Sequence, residues 1–192
     1  MTNFCSFATV NEMERRYALR RHGTRLWTRE KGRQVRSRLT DILETLEPGD
    51  VLVVDTGGVE VFDFSFANEL FGKMAASLAT EHPGRFVIVE NLTEYAGENL
   101  NKALESLSLI MITRREQKLA LTGKVHPTDE VTFAEIVNAG PAVSAGALSK
   151  KLEVNLTAMN ERLSKLTGLG VVRREKGSSA SGREQYVYRV LS

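Results

Sequence analysis

"DVLVVDTGG", residues 50 to 58, is a short apolar run closed by turn residues, and "VFDFSFANELFG", residues 61 to 72, follows it almost at once. From Val51 to Val54 every side chain is apolar, the pattern of a strand covered on both faces rather than one with a wet side. Beyond the glycine pair, Phe66, Leu70, Phe71, Met74 and Leu78 recur at helical spacing, and "HPG" at 82–84 breaks the pattern. A buried strand followed by an amphipathic helix is the unit from which α/β folds are built, so the question is whether the unit repeats.

It repeats downstream. "RFVIVENL" (85–92) reads as a second buried strand and "TEYAGENLNKALESL" (93–107) as a helix, with Thr93 as N-cap and Ala96, Leu100, Ala103 and Leu107 inward. "SLIMITRR" (108–115) is a third buried strand. Upstream, Val35, Leu39, Ile42, Leu43 and Leu46 share one face of a helix that "EPGD" (47–50) stops, while Arg33, Arg36 and Arg38 occupy the other face. The opening segment to Leu26 is dense in arginine (Arg15, Arg16, Arg20, Arg21, Arg25) and has the spacing of short strands or a hairpin, with a turn at "RHGT" (21–24). The fold class expected is α/β, a parallel or mixed sheet with helices, in a first domain over residues 1–122.

The rhythm changes at "LTGKVHPTD" (121–129), which places a linker at 123–127 and a second domain at 128–192. Three short helices are expected there: "EVTFAEIVNAG" (130–140), "SAGALSKKL" (144–152) with Ser144 as cap, and "NLTAMNERLSKLTGLG" (155–170) with Leu156, Met159, Leu163 and Leu166 on its buried seam. "VVRREKG" and "REQYVYRVL" then form two strands around the polar tip "SSASG".

The bulk numbers set outer limits. The 192 residues suit one large or two small domains. No apolar run approaches a membrane span and no basic-then-apolar leader opens the chain, so a cytoplasmic protein with no membrane partner is expected. The single cysteine, Cys5, makes no internal disulfide. His22, His82 and His126 lack metal-ligand or triad spacing, "GLG" at 168–170 follows a helix rather than a strand, and "DTGG" at 55–58 lacks the Lys and Ser/Thr of a P-loop. No catalytic set, metal site or cofactor is expected, and the chain reads as a non-enzyme. A formal charge of +2 decides nothing about nucleic acid by itself.

Three helices, a tight turn at "EVN" and a "LGVV" exit into a hairpin make residues 128–191 resemble the winged helix-turn-helix module of bacterial transcription regulators, a small α+β domain. The resemblance implies that the third helix enters the DNA major groove and that the hairpin tip rests on the phosphates or in the minor groove. The residues so placed are Asn155, Thr157, Asn160, Glu161, Arg162, Ser164 and Lys165 on the helix, and Arg173, Arg174, Lys176 and Arg183 on the wing. Arg and Asn suit base edges, and Lys and Arg suit phosphates. A solvated face or a protein-docking surface has the same composition, and Glu161 opposes phosphate.

The N-terminal part, from about Gly23 to residue 122, resembles the STAS fold of anti-sigma-factor antagonists and, more closely, STAS-like domains of uncharacterised bacterial proteins, through "TRLWTREKG", "DVLVVD" and "SFANELFG" in that order. In the antagonists the second serine of Asp-Ser-Ser-Gly is phosphorylated by a serine kinase with a histidine-kinase-type ATPase fold. The resemblance puts Asp63 on the family aspartate and Ser65 on that serine, while Phe64 and Phe66 replace the first serine and the glycine. A helix cap by Asp63 or Ser65 accounts for the same residues. Two functions follow as expectations: a regulator that binds DNA through the C-terminal domain and senses a partner or ligand through the STAS-like domain, or a partner-switching protein without DNA contact, controlled at Ser65. A homodimer meeting two half-sites belongs to the first.

Overall fold

The computed structural model describes residues 13–178, 182 and 184–190. In chain order these form β1 (Glu14–Ala18), a 3-10 turn (Leu19–His22), β2 (Arg25–Leu26), α1 (Arg29–Thr45), β3 (Val51–Asp55), β4 (Val61–Phe62) and α2 (Phe64–Ala67). The helix begun by α2 continues through a π turn (Asn68–Gly72) into α3 (Lys73–Glu81), and β5 (Phe86–Glu90), α4 (Glu94–Ser106), β6 (Ile110–Arg115) and β7 (Lys118–Gly123) follow. The last third holds α5 (Pro127–Asn138), β8 (Val143–Ser144), α6 (Ala145–Lys151), α7 (Leu156–Gly168), β9 (Arg173–Ser178) and β10 (Glu184–Arg189). No helix among the described residues is long and apolar enough to cross a membrane.

The architecture is mixed α/β. The main sheet runs β1-β3-β5-β6-β7; the first four strands are parallel and β7 is antiparallel at the edge. Parallel strands laid down in sequence order with right-handed crossovers put every connecting helix on the same face. α1, the helix over 64–81 and α4 accordingly share one core with Leu52, Val54, Val87, Val89 and Met111. The alternate residues Val51, Val53, Phe86, Ile88, Ile110 and Ile112 point the other way, into a second core with Phe133, Ile136, Met159, Leu163, Leu166, Val171, Val172 and Tyr188. The unbroken apolar run at 51–54 therefore has two covers: crossover helices on one side and the C-terminal elements on the other.

Several elements differ from the sequence expectation. Of the two readings of the opening segment, short strands or a hairpin, its described residues form short strands that pair with distant ones: β1 joins the sheet beside β3 with Glu14 opposite Val51, and β2 pairs in parallel with β4. The 3-10 turn and Gly23, at φ 124°, reverse the chain between β1 and β2. β7 is a strand the local pattern does not announce: Glu116 and Gln117 adopt φ of 49° and 67° and fold the chain back on β6, just ahead of the expected linker. Two positive φ values suit a tight hairpin turn, but Glu-Gln is not the Asn-Gly signal that announces one. At Gly123 a Cβ would lie 2.3 Å from the Leu109 carbonyl oxygen, so only glycine fits. Leu107 is 43 % exposed rather than inward, its place in the core taken by Leu104.

The π turn packs under α1. At Gly32 a Cβ would come within 2.9 Å of the Phe66 carbonyl oxygen, and this absence of a side chain lets the two helices approach. Glu69 is buried at the crossing, 2.7 Å from Lys73 Nζ and 3.1 Å from Arg36 Nη2, with Arg33 Nε at 3.7 Å. Burial pushes its carboxyl pKa up, but hydrogen bonds from Lys73 and Arg36 and their charges outweigh this and hold it below the ordinary value.

Candidate nucleic-acid interface

Two helices and a tight turn build the candidate surface. Ser144 caps α6 by accepting the Ala147 N–H at 3.2 Å. The chain then reverses through Glu153, at φ 52°, fixed by Val154 N–H donating to the Ser149 carbonyl at 3.0 Å and by the Ser149 hydroxyl donating to the Val154 carbonyl at 2.6 Å. Asn155 caps α7 through Oδ1 and the Ala158 N–H at 2.8 Å, so part of its side chain serves the helix itself.

Met159, Leu163 and Leu166 bury one stripe of α7. Leu156 leaves the expected seam and is 51 % exposed, because the first turn of α7 projects beyond the core its later turns cover. The opposite face exposes Thr157, Asn160, Glu161 and Ser164, with Arg162 half-buried. Lys165 is on the surface too, but its Nζ lies 2.6 Å from Oδ2 of the buried Asp129 in the first turn of α5.

The three-stranded sheet β8-β10-β9 forms the adjoining edge. Along β9, Arg174, Lys176 and Ser178 are exposed while Arg173, Glu175 and Gly177 are half-buried, the alternation of a strand with one wet face. The Arg174 guanidinium lies 4.6 Å over the ring of Tyr186, itself 49 % exposed. Arg173 is committed elsewhere: its Nε is 2.7 Å from Glu175 Oε1, which also takes Arg189 Nη2 at 3.0 Å. Arg173 and Arg174 line a crevice of about 320 Å³ with Thr167, Gly84 and Arg85, where α7 and β9 meet the turn before β5. Arg183 lies outside the described residues.

The second group of expected residues sits in the other helical layer. Asp63 Oδ1 accepts the Phe66 N–H at 2.7 Å and is the N-cap, with Ser65 half-buried in the first turn and Phe64 39 % exposed beside it. The chain thus holds two separate groups of expected site residues, on opposite sides of the sheet.

A scan against protein-family models and a search of curated proteins find no match. Among solved structures, the chain is similar to one described as "Possible transcriptional regulator from Methanosarcina mazei Go1", at 17 % identity and a TM-score of 0.32, over 42 % of this chain and 74 % of that chain.

Chemically, the exposed face of α7 offers amide, hydroxyl and carboxylate groups, and the wet face of β9 offers an arginine flattened on an aromatic ring and a lysine. Sequence reading finds most of these donors but misses Tyr186, which orients Arg174, and the counter-charges Asp129 and Glu175. Alternation along β10 is the one signal that marks Tyr186 as outward; Asp129 lies 36 residues from Lys165 and leaves no local trace.

Proposed function

We propose that the chain is a transcription regulator in which a winged helix-turn-helix domain over residues 128–192 binds DNA and a STAS-like domain over residues 1–122 senses a partner protein or ligand, with residues 123–127 joining them. The observation that carries this reading is the polar outer stripe of α7, Thr157, Asn160, Glu161 and Ser164, beside a strand whose outward cations are Arg174 and Lys176. In this reading Asn160 faces base edges, Arg162 flanks the groove and Arg174 and Lys176 meet phosphates. Two copies would meet two half-sites. Selection from a random duplex library, followed by gel-shift titration of the recovered sequence, tests it. A defined site whose binding falls on Asn160→Ala and on Arg174→Ala/Lys176→Ala supports the reading; enrichment of no sequence overturns it.

A second reading is partner switching at Ser65 by a serine kinase with a histidine-kinase-type ATPase fold. It is favoured by Asp63 taking the capping role, which leaves the Ser65 hydroxyl without that duty. Phosphate on Ser65 in protein isolated from the native cell supports it, and full regulation in Ser65→Ala counts against it.

A further inference from the structure

The densest positive charge in the chain lies away from α7 and β9. Residues 15–38 hold ten of the 26 Lys and Arg and one of the 24 Asp and Glu, so one eighth of the chain carries +9 where the whole carries +2. Four of the ten are neutralised: Arg16 by Glu14, Asp55 and Glu90, Arg25 by Glu60, Arg33 by Glu30 and Glu69, and Arg36 by Glu69. Among the described residues, Arg15, Arg20, Arg21, Arg29, Lys31 and Arg38 form no ion pair. In the C-terminal part the described cations divide evenly: Lys151 is held by Glu135, Lys165 by Asp129, and Arg173 and Arg189 by Glu175, while Lys150, Arg162, Arg174 and Lys176 form no ion pair.

Three of the unpaired cations converge. The Tyr17 hydroxyl and His22 Nε2 are 2.6 Å apart, and the two rings stack with centroids 5.8 Å apart. The Arg21 guanidinium lies 4.5 Å over the Tyr17 ring. Lys31 and Arg38, seven positions apart and so on one side of α1, add their charges to this group: the His22 pKa is held below the ordinary value first by burial, then by the charges of Lys31, Arg38 and Arg21. Like charges gathered without a carboxylate repel one another, and a polyanion relieves that repulsion.

We propose that Arg21, Lys31 and Arg38, gathered around His22, form a second DNA contact that binds the phosphate backbone of a duplex independently of the α7 and β9 surface. The seven steps from Lys31 to Arg38 span about 10 Å of helix, the axial reach of about three phosphates on one strand. A protein-docking surface centres on an exposed aromatic or aliphatic anchor, whereas the aromatic at this centre, Tyr17, is 4 % exposed. Point cations around a covered ring suit a partner read by charge and spacing rather than by shape.

The test uses the full chain and a short fluorescent duplex of random sequence, titrated by anisotropy across a series of salt concentrations. Arg21→Gln/Lys31→Gln/Arg38→Gln is compared with the parent and with Arg174→Gln/Lys176→Gln, with circular dichroism confirming that each is folded. The triple variant is expected to bind at least about tenfold more weakly at low salt and to lower the slope of log affinity against log salt by about two to three, near 0.9 per phosphate contact. Should the triple variant unfold, Arg38→Gln alone is read for a slope reduction of about one. Loss only in the triple variant supports this surface and counts against the winged-helix reading; loss only in the double variant overturns this surface and leaves that reading standing. Unchanged affinity and slope in the triple variant overturns it, as does self-association of the parent that the triple variant abolishes with no effect on DNA binding.

Discussion

Lys165 Nζ sits 2.6 Å from Asp129 Oδ2, and Asp129 is only 3 % exposed. A lysine on the outer face of α7 is thus tied to the first turn of α5, and its charge is spent inside the molecule. Lys165→Ala should change DNA affinity by less than about twofold, while Arg174→Ala, which removes an unpaired cation from the wet face of β9, should lower it by about fivefold. The same Lys165 change should lower stability by about 1–3 kcal/mol, since it strands a buried carboxylate. Anisotropy titration and thermal melting of the two variants read both effects; a large affinity loss in Lys165→Ala would show that the ion pair opens on binding.

The C-terminal elements cover the apolar part of one face of the main sheet, over β3, β5 and β6. A chain ending at Lys124 would expose Val51, Val53, Phe86, Ile88, Ile110 and Ile112, which are at most 2 % exposed in the full chain. It should therefore aggregate or bind a hydrophobic dye, as large exposed apolar patches do. A monomeric, cooperatively melting fragment in size-exclusion chromatography would refute this.

Glu69 holds α1 to the π turn through Arg36 and Lys73. Glu69→Gln should cost about 2 kcal/mol at neutral pH, as charge-assisted hydrogen bonds are lost around a buried group. Because the folded pKa is depressed, the stabilisation is present above the ordinary value of 4.5 and disappears as pH falls through the folded pKa. Urea melts at a series of pH values should show parent and variant converging in acid; a gap independent of pH would mean that packing, not charge, is lost.

His22 should titrate below 6.5 by NMR, since burial and then Lys31, Arg38 and Arg21 disfavour its protonated form. The unfolded chain then binds the proton first, so this contribution to stability is complete above about pH 6.5 and is lost as pH falls through the lower folded value. His22→Gln should flatten the pH dependence of stability in that window. A measured pKa at or above 6.5 would contradict the clustering of cations around the ring.

Asp63, not Ser65, carries the cap on the helix over 64–81. Asp63→Ala should lower stability by about 1 kcal/mol, and Ser65→Ala should stay within about 0.5 kcal/mol of the parent. Equal losses in the two variants, measured by chemical denaturation, would assign Ser65 a structural duty that its position does not suggest.

Local pattern alone determined the three buried strands at 51–54, 86–90 and 110–112, the helices beside them and the caps Thr93 and Ser144. Each follows from backbone periodicity or a side chain reaching three residues along the chain, and such interactions are written in adjacent letters. Tertiary structure alone decided that β1 lies beside β3, that the C-terminal helices close the second face of the sheet, and that Leu107 and Leu156 remain outside. It also decided which candidate cations are spent: Lys165 meets Asp129 across 36 residues of chain, whereas Arg21, Lys31 and Arg38 gather around one ring with no carboxylate paired to them among the described residues. A helical or strand period tells which side of its own element a residue occupies, but what that side faces depends on how the layers stack. Whether a charge is free or neutralised is settled only by that stacking.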